Sequence, residues 1–148
     1  MDSENSETGL DLLRSIVDGE RPQAPISDTL GFVIVAVEPG VAVFEGEPDE
    51  RIYNPMGTAH GGYLTTLLDS AMGSAVLTRL PGGRGYTTAQ INANMLRPVT
   101  ARTGKLRATG TAIHVGRTIA TAEARLTGVE DGKLYAHATT TCAILPLT

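Results

Sequence analysis

The 148-residue chain predicts an α+β domain, a curved antiparallel β-sheet with one long central helix buried across it. Three observations carry that prediction. Within residues 54–80, Leu64, Leu67, Leu68, Ala71, Met72, Ala75 and Val76 recur at spacings of three and four, the pattern of a helix with a broad buried face. Between residues 30 and 47, two short β-branched runs flank Glu38-Pro39-Gly40, which reads as a hairpin. From Tyr86 onward the sequence is almost entirely strand-like runs divided by turn residues. A sheet curving over one apolar helix satisfies all three.

Each element follows from its local chemistry. Residues 8–18 form a short helix: Leu10, Leu13 and Ile16 or Val17 make a stripe, Thr8 with Asp11 resembles a capping box, and Gly19 supplies the stop. Pro22 and Pro25 mark a connector, so residues 1–27 read as an acidic N-terminal segment and residues 28–148 as a single domain. Leu30 to Glu38 and Val41 to Glu47 are the hairpin strands, ended by Pro48, Asp49 and Glu50. The long helix opens at His60-Gly61-Gly62 and is stopped by Pro81-Gly82-Gly83. Gly82 to Gly85 lacks the lysine and the strand-to-helix setting of a phosphate loop and reads as a turn. Strands follow over Thr87 to Arg97, Gly104 to Val115, Thr118 to Thr127 and Leu134 to Leu145. Long strands with short turns predict an antiparallel meander.

Composition narrows the function. Hydrophobic residues are 41% and charged residues 19%, while aromatics are 4% with no Trp, so the core has to be built from small and aliphatic side chains. The single Cys142 excludes an intramolecular disulfide, and MDSENSETG lacks the regions of a signal peptide. No apolar run reaches bilayer-spanning length, and a cytoplasmic protein without membrane contact is expected. The net charge of −4 hides an asymmetry: residues 1–20 carry six acids and one base, whereas Arg79 to Arg117 carry seven bases and no acid. That basic segment suits an anionic or phosphate-bearing ligand or, equally, a solvated strand face. Nucleic acid is not expected, because no recognition motif or aromatic series accompanies the bases.

The candidate chemistry gathers on the long helix. Asp69 is the one acid in its apolar run, and a carboxylate there is costly to desolvate unless it has partners or a task. Gly61 and Gly62 let a ligand approach the backbone where a helix N-terminus offers unpaired N–H groups, a donor site for an oxyanion. Eight residues separate Gly61 from Asp69, about 12 Å along a helix, whereas reacting atoms meet at about 3 to 3.5 Å. The spacing therefore predicts a homodimer in which one subunit's amide end is completed by another's carboxylate. His60 is a candidate acid, a substrate-orienting group or a loop-bonding imidazole. Asn54 could hold a carbonyl or simply open a turn before Pro55, and Thr88 could position water or reflect β-propensity. His114 and His137 sit in strands far apart in sequence and read as structural or exposed. No ligand spacing predicts a metal, and Ser70 lacks a nucleophile elbow.

Asn54, His60-Gly61-Gly62 and Asp69, followed by a strand ending Arg97-Pro98 and by Gly116-Arg117-Thr118, resemble the hotdog-fold acyl-CoA thioesterases of the phenylacetic-acid-degradation type over about residues 28–146. The resemblance implies an antiparallel sheet wrapped around a long helix, edge-to-edge dimers, often paired into homotetramers, and sites at the subunit interface. It implies hydrolysis of an acyl-CoA to free acid and coenzyme A. Asp69 would attack the thioester or activate water, the Gly61 N–H would stabilise the oxyanion, and Asn54 would assist on the carbonyl. Thr88 would stand near the attacking water, and Arg97, Arg117 and Thr118 near the nucleotide of coenzyme A. No cofactor is implied, coenzyme A being part of the substrate. Some relatives use Glu in place of Asp69 and Thr one turn later, where this chain has Gly73; that departure argues against the hydroxybenzoyl-type arrangement. A hotdog hydratase or dehydratase and a non-catalytic acyl-CoA-binding domain are the competing readings. The acyl group itself is left open.

Overall fold

The computed structural model describes residues 6–147. Helix α1, Gly9–Val17, begins where expected: the Thr8 hydroxyl accepts from the Asp11 N–H at 3.1 Å and the Asp11 carboxylate accepts from the Thr8 N–H at 3.2 Å. The predicted connector contains a second helix, α2, Pro25–Leu30, which ends at Gly31 in the left-handed region with φ 77°. Pro25 reads as a loop signal in sequence, yet its fixed φ suits the first helical position. Six residues are too few to show a helical period.

Strands β1, Phe32–Glu38, and β2, Val41–Gly46, form the expected hairpin. A 3-10 turn at Glu50–Ile52 leads to the central helix α3, Gly61–Leu77, followed by β3, Arg84–Met95, β4, Leu106–Val115, β5, Ile119–Gly128, and β6, Leu134–Pro146. Arg84 and Gly85, predicted as turn, already belong to β3. The antiparallel sheet runs β1-β2-β4-β5-β6-β3. The predicted meander holds for β4, β5 and β6 but not for β3, which pairs with β6 at the far edge while β2 takes the place beside β4. The cause is the connection: residues 116–118 and 129–133 close hairpins, whereas residues 96–105 are long enough to cross the end of the sheet.

The sheet curls around α3. Leu67, Leu68, Ala71, Met72, Ala75 and Val76 are fully buried against Ala42, Leu106, Ala108, Ala120, Ala122, Leu126 and Ala136. Small residues on the strands let the helix backbone come close. At Gly110 on β4 a β-carbon would sit 2.2 Å from the Ala71 carbonyl oxygen, so only glycine fits there. Helix α1 covers the remaining side, placing Leu13 in the same core. Among the described residues no helix is long and apolar enough to cross a membrane.

The two sheet edges differ. On β1 the Ile34 N–H donates to Gln23 Oε1 at 3.0 Å, which plugs part of that edge. The other edge is the whole length of β3.

Candidate active site

Helix α3 starts at Gly61 because His60 is extended (φ −62°, ψ 136°) and its side chain acts as the cap. His60 Nδ1 accepts from the Gly62 N–H at 2.8 Å, which places the proton of a neutral ring on Nε2. The His60 carbonyl accepts from the N–H groups of Tyr63 at 2.9 Å and Leu64 at 3.3 Å. Among the described residues nothing accepts from the Gly61 N–H. It is the free donor that a helix N-terminus leaves over.

Asn54 stands beside it and holds a turn. Its Oδ1 accepts from the N–H groups of Met56 at 2.9 Å and Thr58 at 3.3 Å, and its Nδ2 donates to Thr58 Oγ1 at 2.9 Å. Asn54, Thr58, Gly61, Leu64, Met95 and Arg97 line a cleft of about 320 Å³. Asn54 thus opens a turn, and its amide also borders the cleft.

Asp69 lies two turns further along α3, half-buried, and its Oδ1 accepts from the Thr88 hydroxyl at 2.9 Å. Gly62, Thr65, Thr66 and Ser70 share the incompletely covered side of the helix. The hydroxyls of Thr65 and Thr66 donate to the carbonyls of Gly61 at 2.7 Å and Gly62 at 2.8 Å, so they do not compete for the carboxylate. Thr88 reaches Asp69 because of a bulge. The pairing of β3 with β6 shifts register between Thr88 and Gln90, so Ala89 and Gln90 both face outward and Ile91 and Ala93 return to the core. Tyr86, two residues before Thr88 and on the same face, packs its phenol toward the site. Burial above all, then the Asp69 charge and Cys142, push its hydroxyl up to about 12. Cys142 faces Thr88 in the strand register, and burial pushes its thiol above the ordinary range.

One chain thus gathers the predicted residues into separate groups. Asp69 and Thr88 meet; Gly61, Asn54, His60 and Arg97 cluster at the helix start, about 12 Å away along the axis. Arg117 and Thr118 belong to neither group. Arg117 lines a cleft of about 290 Å³ with Arg79, Leu80, Pro81 and Arg84, past the other end of α3, and its carbonyl accepts from the Arg84 guanidinium at 2.9 Å. His137 borders a cavity with Glu123 and Arg125, and His114 is exposed. Sequence reasoning missed Tyr86 and the clustering of Arg79 and Arg84 with Arg117. Tyr86 was available in principle, lying one period-two step from Thr88; the arginine cluster depends on where β3 enters the sheet.

An antiparallel sheet curled around one long central helix is the hotdog architecture. The chain belongs to the Thioesterase superfamily, whose sequence model matches residues 56–135, and it is a thioester hydrolase by class. It is 31% identical over 119 residues to the 1,4-dihydroxy-2-naphthoyl-CoA hydrolase of Listeria monocytogenes, covering 80% of this chain and 94% of that one. Human acyl-coenzyme A thioesterase 13 is 28% identical over 84% of this chain and 89% of its own length. The crystal structure of a phenylacetic acid degradation-related protein from Ralstonia eutropha JMP134 superposes with a TM-score of 0.78 at 32% identity, covering 88% of this chain and 98% of the other.

Proposed function

We propose that the protein hydrolyses acyl-CoA thioesters to a free acid and coenzyme A, at sites each made by two copies of the chain. The observation that carries this reading is the Asp69–Thr88 pair, on a face that the chain's own elements leave partly uncovered, combined with an unused Gly61 donor too far away to serve the same carbonyl. A two-fold axis passing beside Thr65, midway between the two, sets Gly61 of one copy against Asp69 of the other. The free edge of β3 is the natural seam, since it carries Thr88.

In this arrangement the thioester oxygen sits on the Gly61 N–H, with the second Nδ2 hydrogen of Asn54 within its cleft. Asp69 acts as nucleophile or as general base toward water. The Thr88 hydroxyl donates its hydrogen bond to Asp69 and keeps its lone pairs for holding that water. Negative charge developing on the carbonyl is met by a preorganised amide, the C–S bond breaks, and the thiolate leaves to be protonated. His60 fixes the loop through Nδ1 and stays oriented for contact with the substrate. Arg97 and Arg117 lie at opposite ends of α3, so the two-fold brings the Arg117–Thr118 turn of one copy toward Arg97 of the other, a basic frame for the nucleotide phosphates.

The test is thiol release from a panel of acyl-CoAs. Asp69→Asn is expected to lower kcat by about 10²- to 10⁴-fold with folding and subunit assembly retained. Undiminished turnover in that variant removes Asp69 from the chemistry. Hydration without thiol release points instead to a hydratase, and binding without turnover to a ligand-holding domain.

A further inference from the structure

Thr140 of β6 carries a hydroxyl where an apolar side chain would serve the core as well. It is 2% exposed, and its companions on the core-facing side of the strand, Ala136, Ala138, Cys142 and Ile144, have none. A valine has the same branched shape and would fill the position without desolvating an O–H. The hydroxyl has one recorded task. Thr140 stands opposite Ile91 in the register, and its Oγ1 donates to the Gln90 carbonyl at 2.8 Å. That carbonyl belongs to the bulge of β3, where the pairing with β6 shifts between Thr88 and Gln90.

The bulge decides where Thr88 points. Strand residues alternate sides, so an unbroken alternation back from the core-packed Ala93 and Ile91 would turn Ala89 inward and Thr88 outward. The extra residue reverses this, and the Thr88 hydroxyl reaches Asp69 Oδ1 at 2.9 Å. A bulge moved two residues toward the start of β3 would leave Tyr86, Ile91 and Ala93 facing the core and still take the donor away from Asp69. Apolar packing alone therefore separates the two placements poorly, and a side-chain bond to the bulge carbonyl separates them well. We propose that Thr140 is a positioning residue for hydrolysis: by bonding the Gln90 carbonyl it fixes the bulge of β3 and so holds the Thr88 hydroxyl on the Asp69 carboxylate. Thr140 acts on the reaction only through Thr88. The inference rests on the hydrolase reading of Asp69 given above.

A double-mutant cycle tests this, with kcat and KM read by thiol release from whichever of acetyl-, hexanoyl-, palmitoyl- and phenylacetyl-CoA the wild type turns over fastest. Thr140→Val is expected to lower kcat about 10-fold and to change KM by less than about twofold. In a Thr88→Val background the same substitution is expected to add nothing, because the group it positions is already gone. Thr140→Ser, which keeps the donor, regains most of the lost kcat. A merely structural role would give the same loss with Thr88 present or absent. That result, a Thr140→Val protein as active as wild type, or a Thr140→Ser protein as slow as Thr140→Val overturns the assignment. Should the valine variant fail to fold, Thr140→Ala goes through the same cycle; failure of both makes the hydroxyl a stability element and overturns the assignment as well. Wild-type protein that releases thiol from none of the four fails at the earlier step, the hydrolase reading, and takes this assignment with it.

Discussion

The residues that matter most are polar groups on the borders of an apolar core, and each has a different solution to desolvation. Asp69 has a hydroxyl donor from Thr88. Tyr63 has none: it is 3% exposed and its hydroxyl finds no partner among the described residues. A buried unsatisfied hydroxyl opposes folding, so Tyr63→Phe is expected to leave stability unchanged or raise it by up to about 1 kcal/mol in urea denaturation at pH 7. The same variant has a pH signature. Burial first, then the Asp49 charge, push the Tyr63 hydroxyl from 10.0 up to about 12. The folded value lies above the unfolded one, so its share of stability is complete below pH 10 and is lost as pH rises toward 12. Wild-type stability should fall across that window by about one proton's slope more than that of Tyr63→Phe. Equal slopes would show that the hydroxyl is solvated in the folded protein.

At the scale of elements, the sheet and helix are placed by contacts that permit almost no change in size. Gly110→Ala drives a β-carbon into the Ala71 carbonyl, backbone against backbone, and is expected to cost about 3 kcal/mol or to prevent folding. Gly57→Ala has open space around it and should cost about 1 kcal/mol, through its positive φ alone. A smaller loss at Gly110 than at Gly57, measured by thermal unfolding, would mean that α3 can lift from β4. This element scale is also where the sequence was most legible. Helix α3 announced itself by its apolar spacing, the α1 cap by Thr8 and Asp11, and the strand ends by Pro and Gly. Asp69 stood out because no other acid shares its run. What local pattern does not encode is partnership at a distance. Nothing within β3 says that it crosses to β6, the bulge at Ala89 puts Tyr86 and Thr88 out of alternation with Ile91 and Ala93, and α2 is shorter than its own signal.

For the whole molecule, the proposed site makes activity a property of pairs. Asp69→Asn abolishes the carboxylate, and Gly61→Pro removes the N–H while remaining acceptable at the first helical position, since His60 before it is already extended. Each variant alone is expected to be inactive. Mixed in equal amounts and allowed to exchange subunits, they form hybrids in which one of the two sites has both groups intact, and about one quarter of wild-type thiol release should return. No recovery after verified exchange would place both groups in one chain's site.

The unequal sheet edges have a further consequence. A bare strand is a template for any extended chain, and proteins usually blunt such borders with charge, proline or a covering loop. The β1 border has its plug in Gln23; β3 is twelve residues long and carries Arg84 as its one charged side chain. Burying it under a loop of the same chain would also bury Thr88 and the approach to Asp69. The stretch most exposed to misassociation is thus the one that the proposed chemistry needs open, and in the proposed pairing a twin subunit would shield it from aggregation while leaving the carboxylate reachable.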